Sequence, residues 1–364
     1  MIPASLYSVV FLYSVIVLTF LSWITVGKSY ASVKRGSNNW VWALAICAIY
    51  AFWLGNRPQS GVFGDTSMYA HSFRMMQAGF TPTDEGEWVW NQIMYWCAQR
   101  MGANQFLTII ELGYFGFTFW ACKRLTSNNV LVSLLFVMGA FSFYTYGING
   151  IRNGLACAMT LTALSYSQGG LSNKIIAGFL AFAAFNIHHS SGLPILMAVI
   201  SLFFIRSFKW AYTFWILSTI ISLVAGDAIT SLFAGMGFDD RLSYLTAEKE
   251  EGLFSHTGFR WDFLIYSMMP ILLGYYVVIR RGIRNKIYEF LLNTYTLSNA
   301  FWVMVNQANY SNRFAYLSWF MYSLVLAYPL LKMNIWGEVQ GVRLKQIMFA
   351  QIAFTWFLQT IYYL

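Results

Sequence analysis

Five arginines stand beside small polar and aromatic residues in a chain with little other charge: Arg57, Arg74, Arg152, Arg241 and Arg313. A guanidinium offers a planar fork of donors that fits phosphate oxygens two at a time. Grouped on one side of a membrane, such residues point to an acidic ligand, such as a lipid-linked phosphate or pyrophosphate. Arg57 introduces the run Gly61-Val62-Phe63-Gly64-Asp65-Thr66-Ser67-Met68-Tyr69. Its glycines permit tight turns, and Asp65 could orient an acceptor hydroxyl or take its proton. A plainer reading pairs Arg57 with Asp65 and starts a capped helix at Thr66 or Ser67. Arg74 lies nine residues beyond Asp65 on the same loop.

A second cluster, Tyr144-Thr145-Tyr146-Gly147-Ile148-Asn149-Gly150-Ile151-Arg152-Asn153-Gly154, joins two apolar segments. On a helix starting near Asn149, Arg152 shares its face. The first turn of that helix also presents unpaired backbone N–H groups to an anion. Otherwise Arg152 is a snorkelling residue at a span end. The third cluster is Asn186-Ile187-His188-His189-Ser190-Ser191. Either imidazole could act as a general base or bind a sugar or phosphate. Adjacent histidines without a second ligand pair do not make a metal site, and the pair could equally mark a polar break with Ser190 or Ser191 capping the next helix. The fourth cluster, 306–316, holds Asn312, Arg313 and Tyr316 after an amide-rich turn suited to hydroxyl recognition. Arg241 follows Asp239 and Asp240 and could complete a basic pocket or form a local salt bridge. Glu111, inside an apolar segment, is either functional or paired with a buried polar group.

The elements that must carry these residues are apolar helices. Hydrophobic residues make up 58% of the 364 and charged residues 10%, against about a quarter charged in soluble chains. Apolar stretches recur at bilayer length and predict an all-α polytopic membrane protein of about 12 (10–12) spans. The first runs over 5–26 and the last over 345–363, with a broken or re-entrant element near 186–192. The first span lacks the basic region and cleavage site of a signal peptide. One domain covers 1–364, with long outer loops at 57–103 and 227–262.

Charge then orients the spans. Alternate connections hold fifteen basic residues against Glu289 and Glu338, which makes that side cytoplasmic. The other side carries eight basic and eleven acidic residues, among them every candidate arginine. On this reading both termini face outward. The net charge of +9 follows this asymmetry and does not indicate nucleic-acid binding. The four cysteines have no metal or redox spacing and read as small apolar fillers. No phosphate-binding P-loop, nucleophile elbow or zinc-protease signature is present.

Taken in order, Arg57…Gly64-Asp65-Thr66-Ser67-Met68-Tyr69, Asn149-Gly150-Ile151-Arg152-Asn153-Gly154-Leu155-Ala156, His188-His189-Ser190-Ser191 and Asn312-Arg313-Phe314…Tyr316 resemble the EpsG-like family of Wzy-type polysaccharide polymerases. The resemblance extends over roughly residues 50–330. The doubled histidine and Asn153 depart from the single histidine and the glutamine expected there.

The resemblance implies polymerisation of undecaprenyl-pyrophosphate-linked oligosaccharide units at the outer face of a bacterial inner membrane. The growing glycan would leave its lipid pyrophosphate and join a sugar hydroxyl of an incoming unit. Arg152 and Arg313, with Arg57 or Arg74 and with Arg241 nearby, would hold the pyrophosphate. Asp65, His188 or His189 would take the acceptor proton, and Tyr69, Asn149, Asn312 and Tyr316 would contact glycan. No cofactor, nucleotide sugar or metal is implied. The bilayer, lipid-linked glycans and a chain-length regulator are the expected partners. An O-antigen ligase-like transferase and a lipid-linked oligosaccharide transporter remain alternatives.

Overall fold

The computed structural model describes residues 2–82, 86–234, 258–308 and 311–362, and every regular element among them is helical. In chain order the α-helices are α1 (Tyr7–Ser22), α2 (Tyr30–Arg35), α3 (Trp40–Gly55), α4 (Thr66–Gln77), α5 (Trp88–Ala98), α6 (Ala103–Thr126), α7 (Val130–Met138) and α8 (Phe143–Ile148). There follow α9 (Ile151–Tyr166), α10 (Leu171–Ile187), α11 (Gly192–Phe203), α12 (Phe208–Ala234), α13 (Trp261–Gly274), α14 (Lys286–Met304), α15 (Ser311–Lys332) and α16 (Gln340–Phe357). The chain forms two compact units, one of Met1–Ser191 with Ala327–Leu364 and one of Gly192–Leu326.

In the first unit α6 packs against α3 on one side and α9 on another, and α10 runs along α9. Close approach of α3 to α6 needs a glycine. A methyl group on Gly55 would lie 2.4 Å from Thr108 Cα. The short helices α4 and α5 lie on an aromatic core with one end each of α6, α9 and α10, built from Tyr69, Phe73, Trp90, Phe106, Ile151 and Ile187. Phe73 stacks on Phe106 at 5.0 Å, and Trp90 meets Phe106 edge-on at 5.6 Å. Such pairs add to the burial that already anchors α4 and α5.

The opposite end of this unit gathers basic side chains on aromatic rings. The Lys123 ammonium sits 4.3 Å from the Trp40 ring centroid, and the Arg124 guanidinium 3.4 Å from that of Tyr166. Lys332 donates to the Ser127 hydroxyl at 3.2 Å, and Asn128 donates to the Lys34 carbonyl at 3.1 Å. The basic connections 28–35, 123–129 and 332 therefore share one end of this unit, while Arg57, Asn149 and Arg152 lie at the other.

The second unit is held by polar groups inside an apolar interior. Trp215 donates to Asn299 Oδ1 at 2.8 Å, and Asn299 donates onward to the Ser318 hydroxyl at 3.0 Å. Trp319 donates to the Ser267 hydroxyl at 2.6 Å, and Tyr266 stacks on Tyr322 at 4.2 Å. Paired in this way, buried polar groups fix a unique packing instead of costing desolvation.

The expectation of about 12 spans is not met. Among the described residues four helices are long and apolar enough to cross a membrane: Ala4–Thr25, Phe208–Gly226, Trp261–Arg280 and Ser311–Lys332. Two physical causes separate the count from the hydropathy reading. Trp40–Gly55 and Leu171–Ile187 are apolar but shorter. The stretch 129–146 is interrupted by a turn between α7 and α8, so one apparent span is two short helices. The break expected near 186–192 is present, as α10 ends at Ile187, a 3-10 turn covers His189–Ser191, and α11 starts at Gly192. Large apolar side chains remain uncovered on α1 and α10, including Val17, Leu21, Phe179 and Phe182, as hydrocarbon contact favours and water does not. The molecule is a membrane-associated protein with several apolar helices.

Candidate active site

Three of the four sequence clusters meet at one end of the first unit. Arg57, expected at a ligand, is fully buried just past the C-terminus of α3. Its Nη1 donates to Glu111 Oε1 at 2.8 Å and to the Leu54 carbonyl at 2.8 Å. Its Nη2 donates to the Ile148 carbonyl at 3.1 Å, and its Nε to the Thr66 hydroxyl at 3.1 Å. Thr66 in turn donates to the same Ile148 carbonyl at 2.9 Å. The partner of Arg57 is therefore Glu111 and not Asp65. Thr66 starts its helix but ties it to the α8–α9 turn instead of capping it.

The same turn is gripped from the other side. Asn149 Oδ1 accepts the Asp65 N–H at 2.9 Å. Gly64 has φ +59°, and a methyl group there would lie 2.2 Å from Asn149 Oδ1. Both the left-handed backbone and the close approach call for glycine. The helix behind Asn149 begins at Ile151, two residues later than the sequence suggests. The Asp65 side chain is exposed and makes no cap bond to α4. Arg74 is exposed on α4 and donates to Gln59 Oε1, while Gln59 donates to Asn104 at 2.8 Å. Tyr69 is buried, edge-on to Trp90 at 5.6 Å.

Arg152 lies in the first turn of α9 with about a third of its side chain exposed, 34%. Its Nη1 forms an ion pair with Glu87 Oε2, and its buried Nε has no hydrogen-bond partner. Glu87 Oε1 meets His188 Nδ1 and also accepts the His189 backbone N–H at 3.0 Å. His188 is buried; His189 is half-buried and stacks on Phe185 at 4.8 Å. The hydroxyls of Ser190 and Ser191 are buried beside them with no hydrogen-bond partner. Burial pushes the Glu87 carboxyl up, but the hydrogen bond and charge of His188, the charge of Arg152 and the His189 N–H outweigh it. The net effect holds Glu87 below the usual carboxylate range.

Glu87 is the residue that sequence reasoning misses. It precedes α5 at the N-cap position yet makes no cap bond to its own helix. Its carboxylate is engaged by residues 65, 101 and 102 positions later in the chain. The one local signal is an acidic residue after Gly86 at the head of an aromatic helix, which reads as ordinary N-terminal charge. Arg260, in the second unit, was also missed. It forms a fork to Asp262 at 3.0 and 2.6 Å, covers the Phe263 ring at 3.7 Å, and its backbone N–H donates to Asn306 Oδ1 at 2.7 Å.

The fourth cluster belongs to the second unit. Arg313 is exposed on the first turn of α15, Asn312 is half-buried beside it, and Tyr316 lies against Trp319 at 5.6 Å. Arg241 falls outside the described residues. Among the described residues no group of three histidine, cysteine or acidic side chains is placed to hold a metal ion. The four cysteines are buried thiols.

In chemical terms the first unit presents a half-exposed arginine, a carboxylate-bound histidine and an exposed aspartate at one helical end. That set can hold an anion and accept a proton. No curated protein and no solved structure matches the chain. The model of the EpsG family matches residues 40–363, a stretch that takes in both units and all four clusters, and the chain belongs to that family.

Proposed function

We propose that the protein polymerises lipid-linked oligosaccharide repeat units by glycosyl transfer from a polyprenyl-pyrophosphate donor, at the outer face of the bacterial inner membrane. The observation that carries the proposal is Arg152, half-exposed at a helix N-terminus, with an unpartnered buried Nε and joined through Glu87 to His188. A cation in that position suits the charge that grows on a departing pyrophosphate. Family membership supports the substrate class.

In the proposed reaction an acceptor sugar hydroxyl attacks the anomeric carbon of the donor glycan. Its proton passes to His188, or to Asp65, as general base. The bond from the anomeric carbon to the pyrophosphate oxygen breaks, and undecaprenyl pyrophosphate leaves with the electron pair. Arg152 takes the new charge, with Arg74 of the same unit as a further cation for the anionic donor. Asn149 serves the glycan, while Tyr69 is packed in the aromatic core. Arg57, with each of its nitrogens engaged, acts on this reading by fixing the turn that carries Asn149 and Arg152. Holding donor and acceptor together lowers the entropic part of the barrier.

The test is the purified protein in lipid vesicles, given defined undecaprenyl-pyrophosphate-linked repeat units, with products sized on a gel. A ladder of multimers with release of undecaprenyl pyrophosphate is the expected result. Movement of intact units across the bilayer without new glycosidic bonds would establish a transporter instead. Transfer only to a lipid A core acceptor would establish a ligase.

A further inference from the structure

Glu87 touches both halves of the proposed chemistry. One carboxylate oxygen meets Arg152 and the other meets His188 Nδ1 and the His189 N–H. Glu87 stands at the N-cap position of α5 but makes no cap bond to that helix. It joins the head of α5, the first turn of α9 and the break after α10. The Trp90 ring, three residues on, is fully buried in the aromatic core and anchors the head of α5 beneath it.

A carboxylate accepts and does not donate, so the neutral His188 ring must carry its proton on Nδ1. Its basic nitrogen is then Nε2. When Nε2 takes a proton, the imidazolium formed lies against a carboxylate that stabilises it. Arg152 draws on that same carboxylate through the other oxygen.

We infer that Glu87 is a positioning residue that sets the His188 tautomer and couples it to Arg152, so that an anion taking Arg152 leaves Glu87 to act on His188. The inference rests on the polymerase reading for its role in turnover, while its geometry stands on the contacts alone. An empty site holds Arg152 neutralised by Glu87. Pyrophosphate bound at Arg152 removes that neutralisation and makes His188 a stronger base, so proton abstraction follows donor binding.

The experiment uses full-length protein in lipid, labelled with ¹⁵N at its four histidines. His188 is assigned by its loss in His188→Asn, and its tautomer is read from the two ring nitrogens. The expected result is Nδ1–H in the unsubstituted protein, with a shift of the His188 nitrogens on adding inorganic pyrophosphate that Glu87→Gln abolishes. In the polymerisation assay Glu87→Gln lowers kcat by about 100-fold with little change in acceptor KM, and Glu87→Asp recovers part of it. An Nε2–H tautomer in the unsubstituted protein overturns the inference. So does unchanged kcat in a folded Glu87→Gln protein, or a pyrophosphate shift that survives that substitution. The tautomer measurement needs no variant to fold beyond its assignment and no polymer to form. Absence of polymer from the unsubstituted protein would therefore remove the polymerase reading and leave the tautomer to decide the positioning role.

Discussion

Two arginine–glutamate pairs in the first unit differ in almost everything except composition. Arg57 and Glu111 are 0% and 1% exposed, and every nitrogen of Arg57 has an acceptor. Arg152 is 34% exposed, its Nε has no partner, and its glutamate is shared with a histidine. The first arrangement meets every donor of Arg57 and joins α3, α4, α6 and the α8–α9 turn, although Glu111 Oε2 is buried without a hydrogen-bond partner. The second leaves one donor unmet and a third of the arginine side chain exposed. Sequence reasoning gave both arginines the same expected role. Satisfaction of donors, more than residue type, separates a strut from a binding group.

The contrast breaks most sharply at Glu111. Its removal in Glu111→Ala leaves a buried guanidinium without its counter-charge, which costs about 3–5 kcal/mol. A large fall in melting temperature and in folded yield is the expected outcome. Replacing both partners together, Arg57→Met with Glu111→Leu, should recover much of that loss, because the uncompensated charge is gone. If the single and double replacements melt alike, the pair is not a strut.

Arg152→Ala is expected to behave in the opposite manner. Loss of one donor to a developing charge lowers turnover by about 10²–10³-fold, while melting changes little because a partly exposed pair contributes little stability. Product sizing and thermal melting on one preparation separate the two effects. Wild-type polymer length in this variant would place the chemistry elsewhere.

A smaller effect is expected at Gly64. Alanine there must adopt φ +59° and approach Asn149 Oδ1 at 2.2 Å, for a strain of about 1–3 kcal/mol. Asn149→Ala in the same chain should relieve the collision but not the backbone cost, so only part of the lost melting temperature returns. Full return would assign the whole effect to the contact.

The smallest expected effect is with pH. Glu87 is held below the usual carboxylate range, so its contribution to stability is complete above about pH 4.3, the unfolded value. That contribution is lost only as the pH falls through the lower folded value. Between pH 5 and 8 Glu87 stays ionised, and any change of rate in that window comes from another group. A rate limb in the window that disappears in Glu87→Gln but persists in His188→Asn would contradict this assignment.

Much of the site was legible because its chemistry is local in the chain. Gly64-Asp65-Thr66, Asn149…Arg152 and His188-His189 each announce a polar break in apolar surroundings, and the structure brings these three segments together. The helix–turn positions were read within a few residues. The span count was not, because a hydropathy window cannot distinguish one helix from two joined by the turn between α7 and α8. Glu87 was illegible for a related reason. Its partners lie 65 and 101 positions away, and nothing beside it in the sequence marks a carboxylate that bypasses its own helix.

Composition and residue order by themselves determined that the chain is helical and apolar and that its motifs resemble those of one polymerase family. These follow from transfer of side chains out of water and from local backbone preferences, which act residue by residue. Only the tertiary structure decided that Arg57 belongs to Glu111, that Asn149 receives the Asp65 N–H, and that Glu87 joins Arg152 to His188. A buried charge or donor takes whichever partner the packing of distant helices brings within about 3 Å, and that distance is a property of the folded arrangement alone.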